Sequence, residues 1–105
     1  MDSISAQVKK GLLDICVLAA LNRGDSYGWQ IIKDVGSVVE VSEGTLYPIL
    51  KRLEGGGLVE TYEVAYNGRL RKYFKITSDG KTRLKMFELQ QQSLMRIYEF
   101  IKESL

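Results

Sequence analysis

The chain has 105 residues, which is enough for one domain with a modest hydrophobic core. It contains no histidine and one cysteine, so histidine-based catalysis, cysteine zinc clusters and an internal disulfide are excluded. The glycines do not form a nucleotide-binding pattern, and we expect neither a cofactor nor a metal. An enzyme is therefore the least favoured class of function.

The formal net charge of +2 is too small to indicate nucleic-acid binding, but the charges are unevenly distributed. Six lysines and arginines and only three glutamates lie between Thr45 and Thr77. Cys16 lies in an apolar run, which predicts a buried thiol in a reducing compartment. Since no segment is typical of a signal peptide or a membrane span, we expect a cytoplasmic protein that does not bind a membrane.

Two helices are predicted ahead of residue 37. Residues 12–21 are apolar except for Asp14, which predicts a helix that is buried on nearly all sides. The next helix is predicted over residues 26–35, with Ser26 as its cap and Gly36 at its end.

A third predicted helix carries the most informative pattern. Its apolar residues fall at helical spacing and form one stripe: Leu46, Ile49, Leu50 and Leu53. The other side carries hydroxyl, phenol and cationic groups that suit phosphates and base edges: Thr45, Tyr47, Lys51 and Arg52. The pattern favours a DNA-reading helix, and an ordinary amphipathic helix with a solvated polar face is the alternative.

The start of this helix is open between Ser42 and Thr45. Pro48 favours the later start or a kink, because proline lacks the N–H that a helix interior requires.

A β-hairpin is predicted around Asn67-Gly68, a pair typical of two-residue turns. This turn sets a register with these pairs: Tyr66–Arg69, Glu63–Lys72, Tyr62–Tyr73, Glu60–Lys75 and Val59–Ile76. One face is predicted to join the core (Val59, Thr61, Leu70, Phe74, Ile76) and the other to face water (Tyr62, Tyr66, Arg69, Arg71, Tyr73, Lys75). The second face suggests a wing that contacts phosphates, or else a hairpin that its cations merely keep soluble.

The last segment predicts one long helix from about Ser78 to the C-terminus, capped by Thr77. Its apolar residues cover more of the surface than one small domain can bury, which favours packing against the first helix and against a second subunit. Six of them are predicted to form a dimer interface: Leu84, Phe87, Leu94, Tyr98, Ile101 and Leu105.

Together these elements resemble the PadR family of transcriptional regulators, in its short form. The matching segments are SYGWQII from Ser26, GTLYPILKRLE from Gly44, GLV from Gly57 and RKYFKITSDG from Arg71. The resemblance implies a mainly α fold with a β-hairpin wing (α+β class). Residues 1–77 would form a winged helix-turn-helix and residues 78–105 a C-terminal dimerisation helix, in a single compact unit.

The resemblance also implies a homodimer that binds an inverted repeat in double-stranded DNA, with the third helix in the major groove. In the second helix Tyr27 and Gly28 would contact phosphate. Thr45, Tyr47 and Lys51 would face the groove, beside Arg52. Arg69, Arg71 and Lys72 would hold the DNA backbone.

Family members are often repressors that a small aromatic or cationic compound releases from DNA. Four residues would contribute to an effector pocket here: Trp29, Met86, Phe87 and Met95. A winged-helix adaptor that binds proteins without reading DNA is the alternative, and the modest net charge is what that interpretation would predict.

Overall fold

The computed structural model describes residues 5–105, apart from the side chains of residues 6 and 7, so the first four residues of the predicted DNA-binding domain lie outside the described part. The elements in chain order are α1 (Ala6–Asn22), β1 (Ser26–Tyr27), α2 (Gly28–Gly36), α3 (Glu43–Gly55), β2 (Val59–Tyr66), β3 (Arg69–Ile76), α4 (Ser78–Leu89) and α5 (Gln91–Glu103). The predicted fold class is confirmed: the chain is mostly helical, with a small antiparallel sheet in the order β1-β3-β2.

The hydrophobic core lies between the first three helices and the base of the sheet. Its fully buried members include Val17, Leu18 and Leu21 of α1 and Ile31 of α2. The predicted apolar stripe of α3 is confirmed, since all four of its residues are buried. The α3 helix is therefore fixed along one side and open along the other.

The second helix begins later than the sequence indicates. Ser26 was predicted to cap it, and this is wrong: Ser26 lies in β1, where it pairs with Phe74. The α2 helix begins at Gly28, and Tyr27 takes the cap position without a side-chain hydrogen bond. The reason is that the hairpin recruits Ser26 and Tyr27 as a third strand, which leaves the serine hydroxyl buried and without a hydrogen bond to the helix.

The third helix begins early, at Glu43, with Ser42 as its N-cap residue. Of the two caps that the sequence left open, Ser42 is confirmed, and the later start at Thr45 that Pro48 favoured is wrong; Pro48 is the sixth residue of the helix. The Ser42 hydroxyl lies 3.2 Å from that of Thr45 and makes no hydrogen bond to the helix backbone. Pro48 is exposed, so its ring adds rigid surface to the open side of α3.

The predicted hairpin register is confirmed at all five pairs. Asn67 and Gly68 have φ values of 51° and 76°, as a type I′ turn requires at both central positions. Leu70 was predicted to lie in the core, and this is wrong, because its side chain is 67% exposed. It lies on the same face as Phe74 but too near the turn to reach the helices.

The C-terminal segment is two helices instead of one. Thr77 caps α4 as predicted, since its hydroxyl accepts a hydrogen bond from the N–H of Gly80. The helical path is interrupted at Gln90, whose N–H is shared between the carbonyls of Met86 and Phe87. Residues 88–93 are all exposed, so no packing contact holds this segment in a continuous helix.

The C-terminal helices give the chain an elongated shape. As predicted, α4 packs along α1, and it also contacts β3, whereas no residue of α5 is buried. The radius of gyration is 15.7 Å, against about 13 Å for a compact chain of this length. Within residues 5–105 no helix is both long and apolar enough to span a membrane.

Candidate nucleic-acid interface

The open side of α3 is a continuous strip along the helix. Gly44, Tyr47, Pro48 and Lys51 are exposed there and fall at helical spacing opposite the buried stripe. The strip therefore combines the bare backbone of the glycine, the phenol of the tyrosine, the rigid ring of the proline and the positive charge of the lysine. These groups are suited to contacts with base edges and phosphates.

Tyr47 lies against the start of α2. A Cβ atom added at Gly28 would stand 2.8 Å from the Tyr47 Cζ atom, which is closer than side chains pack. The phenol is still 48% exposed. Tyr47 thus contacts the start of α2 through the hydroxyl end of its ring, while about half of the side chain stays exposed.

Arg52 is directed away from this strip. Its Nη2 atom donates to Asp14 Oδ1 of α1 at 2.6 Å. This ion pair joins α1 to α3 and places the guanidinium beside the open strip, in a groove that Thr45 also lines. Of the two adjacent cations in α3, Lys51 is the one that lies on the open strip.

Sequence reasoning missed two cations beside α3. Lys9 and Lys10 of α1 line a groove of about 410 Å³ together with Gly44, Thr45 and Arg52. Leu13, Pro48 and Ile49 complete its wall. The signal was present in the sequence, because the two lysines precede the buried Leu13 by about one helical turn and so share its side of α1.

We call the hairpin Val59–Ile76 the wing. Its outer face and the neighbouring β1 together carry a row of tyrosines across all three strands of the sheet. Tyr27, Tyr73 and Tyr62 lie side by side: the first two rings meet edge to face at 5.5 Å, and the last two stack at 5.7 Å. Arg71 extends the row, since its guanidinium lies 4.1 Å from the Tyr27 ring centroid and 4.0 Å from that of Tyr66. The predicted water-facing side of the wing is therefore an ordered stack.

Two pKa shifts mark the ends of this row. Tyr62 donates a hydrogen bond to Asp25 Oδ2 at 2.6 Å, and this bond is the main reason why the pKa of Tyr62 is raised. Hydrogen bonding to Tyr73 is the main reason why the pKa of Arg71 is raised. Sequence reasoning missed Asp25, because no local pattern connects it to a tyrosine 37 positions away.

The three predicted backbone-holding residues of the wing do not share one face. Arg69 and Arg71 lie on the outer face, whereas Lys72 lies on the face that includes Phe74. The Lys72 Nζ atom is 5.5 Å from the Phe74 ring centroid and 4.0 Å from Glu54 Oε1 at the end of α3. The structure thus brings Arg69 and Arg71 together and separates Lys72 from them.

The sequence model of the Transcriptional regulator PadR-like family matches residues 17–86. This chain belongs to that family. The match runs from the core of α1 through α2, α3 and the wing into α4.

Solved structures of PadR-like proteins have the same fold. A PadR family transcription regulator from Clostridium difficile R20291 superposes with a TM-score of 0.79 at 31% identity, over 87% of this chain and 98% of that one. A PadR-like transcription factor from Bacteroides fragilis gives 0.79 at 32% identity, over 95% and 99%. The transcriptional regulator Rv3488 of Mycobacterium tuberculosis is 43% identical over 44 residues, which is 42% of this chain and 41% of that protein.

The residues predicted for an effector pocket of this PadR-like regulator are largely exposed within one protomer. Trp29 is 57% exposed on α2, and the Lys33 Nζ atom lies 5.0 Å from its ring centroid. Met86 of α4 and Met95 of α5 are also exposed, whereas Phe87 is partly buried.

The predicted dimer residues divide into two groups. Leu84 packs against the core of its own chain, and Phe87 is half-buried. The remaining four lie at or near the C-terminus with exposed side chains: Leu94, Tyr98, Ile101 and Leu105.

Proposed function

We propose that this PadR-like regulator binds an inverted-repeat operator in double-stranded DNA as a homodimer and represses transcription in the cytoplasm. In each subunit the open strip of α3 enters the major groove, and the wing follows the flanking backbone. The observation that carries this proposal is the α3 strip of Gly44, Tyr47, Pro48 and Lys51. It is exposed beside two sets of cations, while the buried apolar stripe on the opposite side of α3 holds the helix in the core.

The arrangement of charge supports the division of roles. Lys51 on the strip is suited to base edges. Lys9, Lys10 and Arg52 lie on the α1 side of α3, and Arg69 lies at the tip of the wing. Cations on both sides of a groove-reading helix suit the two phosphate backbones that border a major groove.

The dimer is supported by the apolar surface of α5. Leu94, Ile97, Tyr98 and Ile101 follow one another along the helix, and each side chain is about half exposed. Exposed apolar surface of this extent is typical of an interface, because an isolated helix would leave it in water. Two further predicted interface residues flank this helix: Leu105 follows its C-terminal end, and Phe87 lies in α4, about one turn before its start.

Release by a small aromatic or cationic compound is the regulatory part of the proposal. Trp29, Met86 and Met95 offer apolar surface that a second subunit would enclose. Lys33 already occupies the face of Trp29, as a cationic ligand would. Such compounds should change the fluorescence emission of Trp29, the sole tryptophan, and lower the affinity for DNA. A screen in which every bound compound leaves DNA affinity unchanged would contradict release by a small compound.

The test of DNA reading is a set of titrations with a selected operator duplex and an unrelated duplex at several salt concentrations. We expect the wild type to prefer the operator by about 10³-fold or more. Lys51→Ala should reduce operator affinity more than unrelated affinity. Lys85→Ala is the matched control, because Lys85 lies on α4 and pairs with Glu88, away from α3.

Equal weak binding of the wild type to both duplexes would contradict the proposal and favour the protein-binding adaptor. Equal losses for Lys51→Ala and Lys85→Ala would show that α3 is not the reading element.

A further inference from the structure

The outer half of the wing has no hydrophobic core behind it. The buried residues of the hairpin are at its base, where Val59, Phe74 and Ile76 meet the helices. Every residue from 62 to 70 is exposed. Because an isolated two-stranded hairpin is only marginally stable in water, contacts other than core packing must fix the direction of this tip.

Arg71 makes contacts of this kind. Its guanidinium lies between the rings of Tyr27 and Tyr66, with centroid distances of 4.1 and 4.0 Å. Tyr66 is the last residue of β2 next to the turn, while Tyr27 immediately precedes α2. One planar cation therefore joins the tip of the wing to the beginning of the helix-turn-helix.

We propose that Arg71 is a positioning residue that sets the angle between the wing and α3, so that both contact the same duplex. This inference rests on the proposed function in DNA binding. Because the guanidinium lies against both rings, much of its surface is already in contact with the protein itself. The hydrogen bond from Tyr62 to Asp25 is a second contact that joins the wing to the loop before β1.

Lysine substitution separates this role from that of a simple phosphate contact. Lysine keeps the positive charge but lacks the planar group that fills the space between two rings. If Arg71 acted only through charge, Arg71→Lys would bind DNA as the wild type does. If it acts by stacking, Arg71→Lys should loosen the tip of the wing as much as Tyr66→Leu, which removes one of the two rings.

The first measurement is hydrogen exchange in the free protein at the backbone amides of residues 64–71. Arg71→Lys and Tyr66→Leu should each exchange about 5- to 30-fold faster, the factor that loss of one or two stacking contacts would give. Two variants are controls and should exchange like the wild type. Tyr66→Phe keeps the ring, and Arg69→Lys makes the same substitution on the same face of the tip.

The second measurement is DNA affinity as a function of salt. Arg71→Lys should lower operator affinity while the salt dependence keeps its wild-type slope, because the number of cations is unchanged. Arg83→Lys makes the same substitution on α4, outside the proposed DNA-contacting surface, and should leave both unchanged. Wild-type exchange rates in Arg71→Lys would overturn the inference, as would faster exchange with undiminished DNA affinity. A wild-type protein that does not prefer an operator would overturn the proposed function, whereas the exchange experiment would still decide whether Arg71 fastens the wing.

Discussion

The contact between Gly28 and Tyr47 fixes the geometry of the helix-turn-helix at a single residue. We expect Gly28→Ala to cost no more than about 1 kcal/mol of stability, because the new methyl group overlaps only the hydroxyl end of the half-exposed Tyr47 side chain, which can rotate away. DNA affinity should fall as well, since the ring belongs to the α3 strip. Chemical denaturation and operator titration would measure the two effects.

Gly11→Ala is the matched control for this substitution. Nothing lies within 4 Å of a Cβ atom at Gly11, so the change should stabilise α1 by about 0.5–1 kcal/mol. In a Tyr47→Ala background the cost of Gly28→Ala should largely disappear. A cost that persists there would mean that the overlap with Tyr47 is not its cause.

The bond between Tyr62 and Asp25 predicts a pH dependence. Because the pKa of Tyr62 is raised in the folded protein, the contribution of this bond is fully present below the ordinary tyrosine pKa of about 10. It is lost as the pH rises through the raised value. Tyr62→Phe should therefore be less stable than the wild type near pH 8, and the two proteins should converge well above pH 10. A stability difference that is unchanged across this range would argue against the bond.

At the scale of elements, local patterns were sufficient for the parts of the fold that local chemistry controls. Asn67-Gly68 fixed the hairpin register, and the spacing of leucines and isoleucine fixed the buried side of α3. Non-local contacts decided the rest. Ser26 became a strand residue because β3 was available to pair with it.

The candidate interface was predictable to the same degree. Lys51 and Tyr47 follow from helical spacing alone. The pairing of Arg52 with Asp14 and the stacking of Arg71 between two rings join residues far apart in sequence. A pattern of residue types identifies such cations but does not indicate which of them already have partners.

The α5 helix provides a prediction at this scale. It has 13 residues, none of them buried, and helices of this length are marginal in water. We therefore expect its helicity to depend on a second subunit. Leu94→Glu combined with Ile101→Glu should give a monomer in sedimentation and lose the helical circular dichroism of roughly one such segment.

Gln92→Glu is the control, because it adds a charge to the polar side of the same segment and should leave a dimer of full helicity. A double variant that stays dimeric, or a wild-type chain that sediments as a compact monomer at tens of micromolar, would contradict the proposed interface.

In the whole molecule, binding of both half-sites of an inverted repeat requires two α3 helices at a fixed separation. The α5 helix extends from the body of the fold, so a dimer built on it would set the distance between the two α3 helices. Two half-sites read on one side of DNA lie about one helical turn apart, centre to centre. An effector bound between α1 and the C-terminal helices would change that distance and so weaken DNA binding.

Selection of bound duplexes from a random pool, followed by sequencing, tests whether this protein reads a DNA sequence. We expect enrichment of an inverted repeat whose half-sites are centred about 10 base pairs apart. We also expect that the Lys51→Ala protein loses this enrichment while the Lys85→Ala protein retains it. A pool that shows no enriched sequence after repeated rounds with the wild-type protein would contradict sequence-specific DNA binding by this surface.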